Sequence, residues 1–434
     1  SAISGDEEYG SINEKTSGGT PEKGTWMARA KRWMQVMGPG IVVMLADTDA
    51  GCLVVASQSG ARFGYSLLPL QIMLIPVLCA AQELTVRLGI FTRKGHGEMI
   101  RDYFGNGWAW LSVSTLVIAC CGAIVSEFVG IAGVGRIWGV PDWLSVSLAA
   151  VFLMVVAMTG SYRRTEVFAV CLGLFELVFV VTAILAQPDL KEMLKPFSSQ
   201  PVEDKAYVRL AVANIGAVIM PFMIFYQQSA IVDKKLSPAD IHIARADTII
   251  GSFVTQFIMC TVIVTTAAAV WEKEGPRDLT TIEEIADAFS EHLGETTGKV
   301  LFSMGLMGGA LIGGLVVSLT AAWGLGELMG LRRSLEYKAT EAPGFYLSYT
   351  LMIGFGAVVA IIYPNPIELE VFVEILNALL LPVVLGFLYV LAHKALPDEH
   401  RIKGWYALGV GLLFSLCCGV ALYLVVLEII DMVK

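Results

Sequence analysis

Long apolar runs alternate with short polar punctuation along this chain. Eleven runs stand out, at about 37–59, 66–90, 107–135, 142–160, 164–187, 207–230, 248–271, 299–329, 344–363, 370–394 and 404–430, each close to or above the ~20 residues that a helix needs to cross a hydrocarbon core. The runs are continuous rather than strictly alternating. Backbone exposed to lipid must satisfy its own hydrogen bonds, so the pattern predicts membrane-spanning helices and not a barrel. One stretch between the runs differs. Ile282, Ile285, Phe289 and Leu293 recur at helical spacing opposite Glu283, Glu284 and Asp287, which predicts a short amphipathic helix with a structural role on the outer face.

Charge orients the runs. With a cytoplasmic N-terminus, about twenty of the 30 Lys and Arg residues fall in inner segments. These include Arg29, Lys31 and Arg32; Arg93, Lys94 and Arg101; Arg163 and Arg164; Lys234, Lys235 and Arg245; Arg332 and Arg333; and Lys394, Arg401 and Lys403. The outer segments are longer and poorer in bases, notably Glu272–Lys299. Eleven spans, N-terminus cytoplasmic and C-terminus outside, in the plasma (inner) membrane, satisfy this asymmetry. Composition agrees: of 434 residues 56% are hydrophobic and 16% charged, and mean hydropathy is +0.68. No soluble fold has enough interior for that much apolar surface. The formal charge of −9 offers no basic patch for nucleic acid. All eight cysteines lie within apolar runs, as buried residues rather than bridges or a zinc site. Residues 1–22 are polar and Gly/Ser/Glu-rich, so a disordered tail without a cleavable signal is expected there.

Ionisable groups at membrane depth cost at least about 2.5–3.5 kcal/mol each and are functional candidates. Here they are almost all acidic: Asp47 and Asp49 in the first run, Glu83 in the second, Glu127 in the third, Glu176 in the fifth, Glu327 in the eighth and Glu374 in the tenth. Arg87 is the one obvious basic partner, and the five histidines fall in loops. An interior with many carboxylates and few bases calls for a cation. Glu83, Glu327 and Glu374 each also fit a structural role, capping a helix or bonding nearby backbone, and Glu166 fits an interface ion pair beside Arg163 and Arg164.

The first run is interrupted by Asp47-Thr48-Asp49-Ala50-Gly51-Cys52 after Gly38-Pro39-Gly40. Two aspartates and a glycine in mid-membrane predict unwound backbone lining a cavity, with Asp49 functional and Asp47 facing either the ion or its watery approach. The sixth run carries a matching interruption at Gly216–Pro221, followed by Tyr226-Gln227-Gln228-Ser229; Pro221 removes a backbone donor and frees carbonyls. Breaks in the first and sixth runs occupy corresponding places in two five-span halves, the pattern of an inverted-repeat transporter with its site at the midplane. The division expected is a cytoplasmic tail (1–36), a first five-helix repeat (37–187), an extracellular loop (188–206), a second inverted repeat (207–394) and an eleventh helix (404–430).

These residues resemble the Nramp family of divalent-metal transporters. Gly38-Pro39-Gly40 and Gln58-x-Gly60-Ala61-x-Phe63-Gly64-Tyr65 match its first span, and the family's Asp-Pro-Gly-Asn motif falls on Asp49-Ala50-Gly51-Cys52. Gly216–Pro221, Tyr226 and Ser229-Ala230 resemble the sixth-span motif; Arg87-Leu88-Gly89, Glu127-x-x-Gly130 and Leu381-Pro382 add weaker agreement. The resemblance implies an all-α, LeuT-like 5+5 fold with discontinuous helices 1 and 6. It also implies a metal site of Asp49, the backbone at Ala46 and Ala217, and the sulfur of Met220. The departures are Cys52 at the motif asparagine, Asp47 at a usually aromatic position, Phe222 and Gln228 where histidines are usual, and a third-span acidic row reduced to Glu127. One extra residue lies between the sixth-span anchors: aligned from Gly216 the soft ligand is Met220, whereas aligned back from Ser229 no methionine falls there and the sulfur is swung out of the site. Glu127 and Gln228 are then the remaining candidates for a proton or ion path.

Together these features are similar to the divergent Nramp-related magnesium transporters. They imply uptake of Mg²⁺ (and Mn²⁺) by alternating access without proton coupling, because groups that change protonation have been lost. The membrane potential suffices: a divalent ion crossing 100 mV gains roughly 4.6 kcal/mol, on the order of a thousandfold accumulation. The metal is the substrate, no cofactor is expected, and a monomer in the bilayer is expected. The competing expectations are a proton-coupled Mn²⁺/Fe²⁺ importer of the standard type and a sodium-coupled amino-acid transporter on the same architecture. An enzyme is not expected, since no nucleophile motif, His cluster or phosphate loop is present.

Overall fold

The computed structural model describes residues 26–198, 200–363 and 366–433; the tail expected over 1–22 lies outside them. Every regular element among the described residues is helical. In chain order these are α1 (Trp26–Val36), α2 (Pro39–Leu45), α3 (Ala50–Phe63), α4 (Leu68–Thr92), α5 (His96–Phe104), α6 (Asn106–Ile137), α7 (Asp142–Ala157), α8 (Tyr162–Gly173), α9 (Val178–Leu185) and α10 (Leu190–Leu194). The second half holds α11 (Lys205–Val218), α12 (Pro221–Asp233), α13 (Ile241–Thr266), α14 (Glu272–Glu274), α15 (Ile282–Leu293), α16 (Glu295–Met329), α17 (Pro343–Ile362), α18 (Pro366–Lys394) and α19 (Gly404–Val433). Among the described residues nine helical stretches are long and apolar enough to cross a membrane. The pair α2–α3, bent by 50°, and the shorter apolar α7 bring the described residues to the eleven elements that the hydrophobic pattern predicts.

Both breaks have local causes. Gly38, with φ at +146°, and Pro39 start α2, which stops at Ala46. Asp49 then takes an extended conformation and its Oδ1 accepts the Cys52 amide at 2.9 Å, so it is the N-cap of a new helix, α3. In the sixth span α11 ends at Val218, Ile219 leaves helical geometry, Met220 is extended, and α12 begins at Pro221. Pro221 was expected to free carbonyls from within a helix. It sits instead at the first helical position, where its missing N–H costs nothing, and forces Met220 out of helical geometry.

Packing brings the breaks together. The α11–α12 span is the most enclosed, with 94% of its most apolar stretch buried, against 28% for α19 at the periphery. Gly216 of α11 touches the backbone of α18: a Cβ there would lie 1.8 Å from the Glu374 carbonyl oxygen. Gly309 and Gly313 of α16 give the first break the same close approach, since a Cβ would meet Thr48 O at 2.5 Å and Glu127 Oε1 at 2.1 Å respectively. Helix α15 forms as predicted, capped by Thr281, with Ile282, Ile285 and Phe289 buried. The loop predicted at 188–206 contains the short α10.

At the base-rich end, Asp247 of α13 accepts the amides of Gly38 (3.1 Å), Gly40 (2.8 Å) and Ile41 (3.3 Å), capping α2 from a neighbouring helix. Glu166 forms an ion pair, but not with Arg163 or Arg164. Its partner is Lys234, at 2.6 Å, and Lys234 also donates to the Met37 carbonyl at 2.8 Å. Tertiary folding supplies a buried ammonium that the neighbouring sequence does not.

Replacing Gly216 by Ala is expected to push α18 off α11, at a cost of about 1–3 kcal/mol or more. In a thermal-unfolding assay in detergent the variant should melt below wild type, whereas Gly419→Ala, at a site with nothing within 4 Å, should not.

Candidate functional site: a carboxylate cage at the helix breaks

Six buried carboxylates surround the first break: Asp47, Asp49, Glu127, Glu176, Glu370 and Glu374, all at most 1% exposed. Each is steadied by one donor. Thr255 Oγ1 donates to Asp47 Oδ2 (3.2 Å), Cys52 N to Asp49 Oδ1 (2.9 Å), Ala50 N to Glu127 Oε2 (3.2 Å) and Asn377 Nδ2 to Glu374 Oε2 (3.0 Å). The Thr48 hydroxyl donates to Glu176 and the Ser126 hydroxyl to Glu370. In five of the six, the second oxygen has no protein partner: Asp47 Oδ1, Asp49 Oδ2, Glu127 Oε1, Glu176 Oε1 and Glu370 Oε1.

None of the six takes part in a salt bridge among the described residues. Buried acids elsewhere do. Glu83 pairs with Arg87 (2.6 Å) and Arg245 (2.8 Å), Glu166 with Lys234 (2.6 Å) and Glu327 with Arg333 (3.7 Å). The contrast carries weight, because two like unit charges about 5 Å apart repel by about 3 kcal/mol even at an effective dielectric of 20. The cage therefore needs a cation, shared protons, or both. Ligand atoms of Asp49, Cys52 and Glu374 lie within 4.8 Å of one another, a spacing that suits one metal ion. The Asp49 and Glu127 carboxyl groups approach closely enough to share a proton or a cation.

The candidates fall as follows. Asp49, Asp47 and Glu127 meet at the break, beside Ala46 at the end of α2. The Cys52 thiol donates to the Ala217 carbonyl at 3.1 Å, joining the two broken spans directly. Met220 is fully buried at the second break, where it precedes α12. Gln228 belongs elsewhere: two turns further along α12, it contacts His96 Nδ1 (3.0 Å), the Lys94 carbonyl (2.8 Å) and Met99 Sδ (2.9 Å). His96 itself was expected in a loop and is instead wholly buried in α5, edge-on to Phe225. Glu327 has the structural role open to it, accepting from Gly97 N (2.8 Å) and Ser229 Oγ (2.7 Å). Glu374 accepts from Asn377 Nδ2 and also faces Gly51 within the cage.

Glu370 and its partner Ser126 were not singled out by sequence. The available signal was the Glu370–Glu374 spacing, two acids one helical turn apart on a face that buries them.

The two ends of the bundle differ. The His96–Gln228 contacts, the Glu327 contacts and the Lys234–Glu166 pair close the base-rich end. At the opposite end a cavity of about 500 Å³ is lined by Gln58, Arg62, Leu279, Ile367, Glu368 and Val371 among others. Arg62 pairs there with Asp278 at 2.7 Å.

A family model described as natural resistance-associated macrophage protein-like (Nramp) matches residues 40–427. A divalent metal cation transporter MntH of Bradyrhizobium diazoefficiens is 26% identical over 306 residues, covering 67% of this chain and 66% of that protein. The MntH of Xylella fastidiosa strain 9a5c is 28% identical over 296 residues, covering 64% and 61%. Among solved structures, a manganese transporter of Eremococcus coleocola superposes with a TM-score of 0.74 at 17% identity, covering 96% of this chain and 90% of that one. A nucleobase-cation-symport-1 family transporter has the same overall fold, with a TM-score of 0.58 at 13% identity and coverage of 90% and 91%. The matched segment thus spans slightly less than two thirds of the curated relatives' lengths.

Burial holds the His96 imidazole at a pKa of about 4, well below its ordinary value, against the opposing pull of Gln228. The unfolded chain therefore takes up this proton as pH falls through about 6.5, whereas the folded chain takes it up only near 4. Thermal stability should decline across that window, and His96→Gln should show a smaller decline between pH 7 and pH 4.5.

Proposed function

The chain belongs to the Nramp family, and from that premise we propose that it is a divalent-metal transporter, carrying Mg²⁺ as well as Mn²⁺ by alternating access without proton coupling. The observation that carries this is the unpaired carboxylate cage at the junction of two broken spans. Its oxygens are hard donors, suited to Mg²⁺ and Mn²⁺, which retain water and favour oxygen ligands. Asp49 Oδ2 and Glu374 supply the charge. Glu127, Asp47 and the backbone around Ala46 and Ala217 complete the polar lining. The Cys52 thiol donates to the Ala217 carbonyl, a hydrogen bond that favours the thiol over the thiolate.

Absence of proton coupling is supported by the closed end. Between the cage and the base-rich loops, the one buried imidazole found among the described residues, His96, is neutral above about pH 4 and bonded to Gln228. That imidazole therefore does not change charge near neutral pH. With the base-rich end in the cytoplasm, as the distribution of Lys and Arg favours, the cavity beside Gln58 and Val371 lies on the outer side, while the cage itself is closed off from both ends. Exchange then requires the contacts of Lys234, Gln228 and Glu327 to part while the Gln58–Leu279 and Arg62–Asp278 contacts hold.

Asp49→Ala should abolish Mg²⁺ and Mn²⁺ uptake into proteoliposomes and weaken equilibrium binding by at least about 100-fold, the loss of about 2.7 kcal/mol. Normal binding and transport by that variant would show the site to be wrong. A pH-sensitive dye inside the vesicles should report no acidification when Mn²⁺ or Mg²⁺ is added under an inside-negative potential; acidification that tracks uptake would establish coupling instead. Mn²⁺ uptake that Mg²⁺ neither shares nor inhibits would remove magnesium from the substrate list.

A further inference from the structure

The cage extends beyond the atoms that one ion can reach. Glu370 is fully buried, with one oxygen on Ser126 Oγ and the other, Oε1, without a protein partner. A carboxylate accepts about four hydrogen bonds, and a single hydroxyl leaves most of that capacity unused. Where this protein buries an acid for structural purposes it supplies a base, as at Glu83, Glu166 and Glu327, or several backbone amides, as at Asp247. Glu370 has neither. Its place on α18 is also particular. Ile367 and Val371, which line the outer cavity, bracket it along the helix, and Glu374 follows one turn further in, about 6 Å along the axis. The three side chains converge on Gly51: Glu374 Oε1, Ser126 Oγ and Glu370 Oε2 lie 2.7, 2.9 and 3.1 Å from the point where a Cβ on that residue would stand.

We propose that Glu370, with Ser126 and the outer face of Glu374, forms a second cation station, occupied by a partly hydrated divalent ion on its way from the outer cavity to Asp49. This deepens the transport function argued above and rests on it. Hard cations shed water reluctantly. One carboxylate and one hydroxyl, buried between the outer cavity and Asp49, replace the first waters, and the Glu374–Asp49 pair replaces more. Spreading dehydration over two sites keeps each well shallow enough to leave. Glu374 belongs to both stations, so the ion is handed along α18 without losing carboxylate contact. The glycine at position 51 gives the three oxygens their room.

The test is a set of variants in proteoliposomes, with Mn²⁺ as the probe: Glu370→Gln, Glu370→Asp, Asp49→Ala and the Asp49→Ala/Glu370→Gln double variant. Glu370→Gln should raise the KM for Mn²⁺ about tenfold and change the maximal rate by less than about twofold, with Glu370→Asp restoring most of the loss. Calorimetry should find a weak Mn²⁺ site surviving in Asp49→Ala and absent from the double variant. A wild-type KM in Glu370→Gln would overturn the station, as would a fall in maximal rate alone, or residual binding in Asp49→Ala that Glu370→Gln leaves intact. If the wild-type protein neither binds nor moves Mn²⁺ or Mg²⁺, the transport function itself fails; if it does both while Glu370→Gln behaves as wild type, only the station fails.

Discussion

Negative charge without protein counter-charge, buried where water cannot screen it, is the constraint around which this structure is arranged. A carboxylate inside a helical bundle must be protonated, paired or bound to a cation. Three acids near the base-rich end are paired with Lys or Arg. Six at the centre are given one donor each and no base. The donors orient the carboxylates without neutralising them, which leaves second oxygens turned toward a shared space. The start of α3 helps, because its first amides face Asp49 and Glu127 and the positive end of the helix lies among the anions. That help is partial, and the proposed divalent cation would supply the rest.

The rest of the bundle keeps this arrangement in place. Glycines on α11 and α16 bring backbones within reach of the breaks, at Glu374 O and Thr48 O. A larger residue at either position would open the cage. The N-terminus of α2 is fixed by Asp247 and by the Lys234–Met37 contact, so the half-helix at the base-rich end is held from outside its own span. Contacts of that kind, made by side chains rather than by continuous backbone, can be exchanged as a unit. A broken span held by such contacts can swing where an intact one would have to unfold.

Much of this was legible in the sequence because it depends on local chemistry. Asp49 and Gly51 in mid-run imply a break, and Pro221 implies another. The structure changes how those residues act: Asp49 is an N-cap that starts a helix, and Pro221 begins one rather than interrupting it. Glu166 was legible as an ion-pairing residue but its partner was not, since Lys234 reaches it only when distant helices meet. Gln228, a pathway candidate by its place after the sixth-span break, is bound to His96 and Lys94 at the closed end. Glu374 read as structural and Glu370 passed unremarked, because a run of sequence does not show which stripe of a helix faces which neighbour.

The sequence by itself determined the number of spans, the places where two of them break and the excess of acid over base in the interior. These follow from run length, from backbone preferences of single residues and from composition, none of which needs a partner. Only the tertiary structure decided which acids share a space. Ser126 and Glu370 are 244 positions apart, and their meeting depends on how α6, α18 and α3 pack, which small residues along the helices permit. Charge repulsion falls off with distance through space and not along the chain, so the concentration of acid at the centre arises from packing.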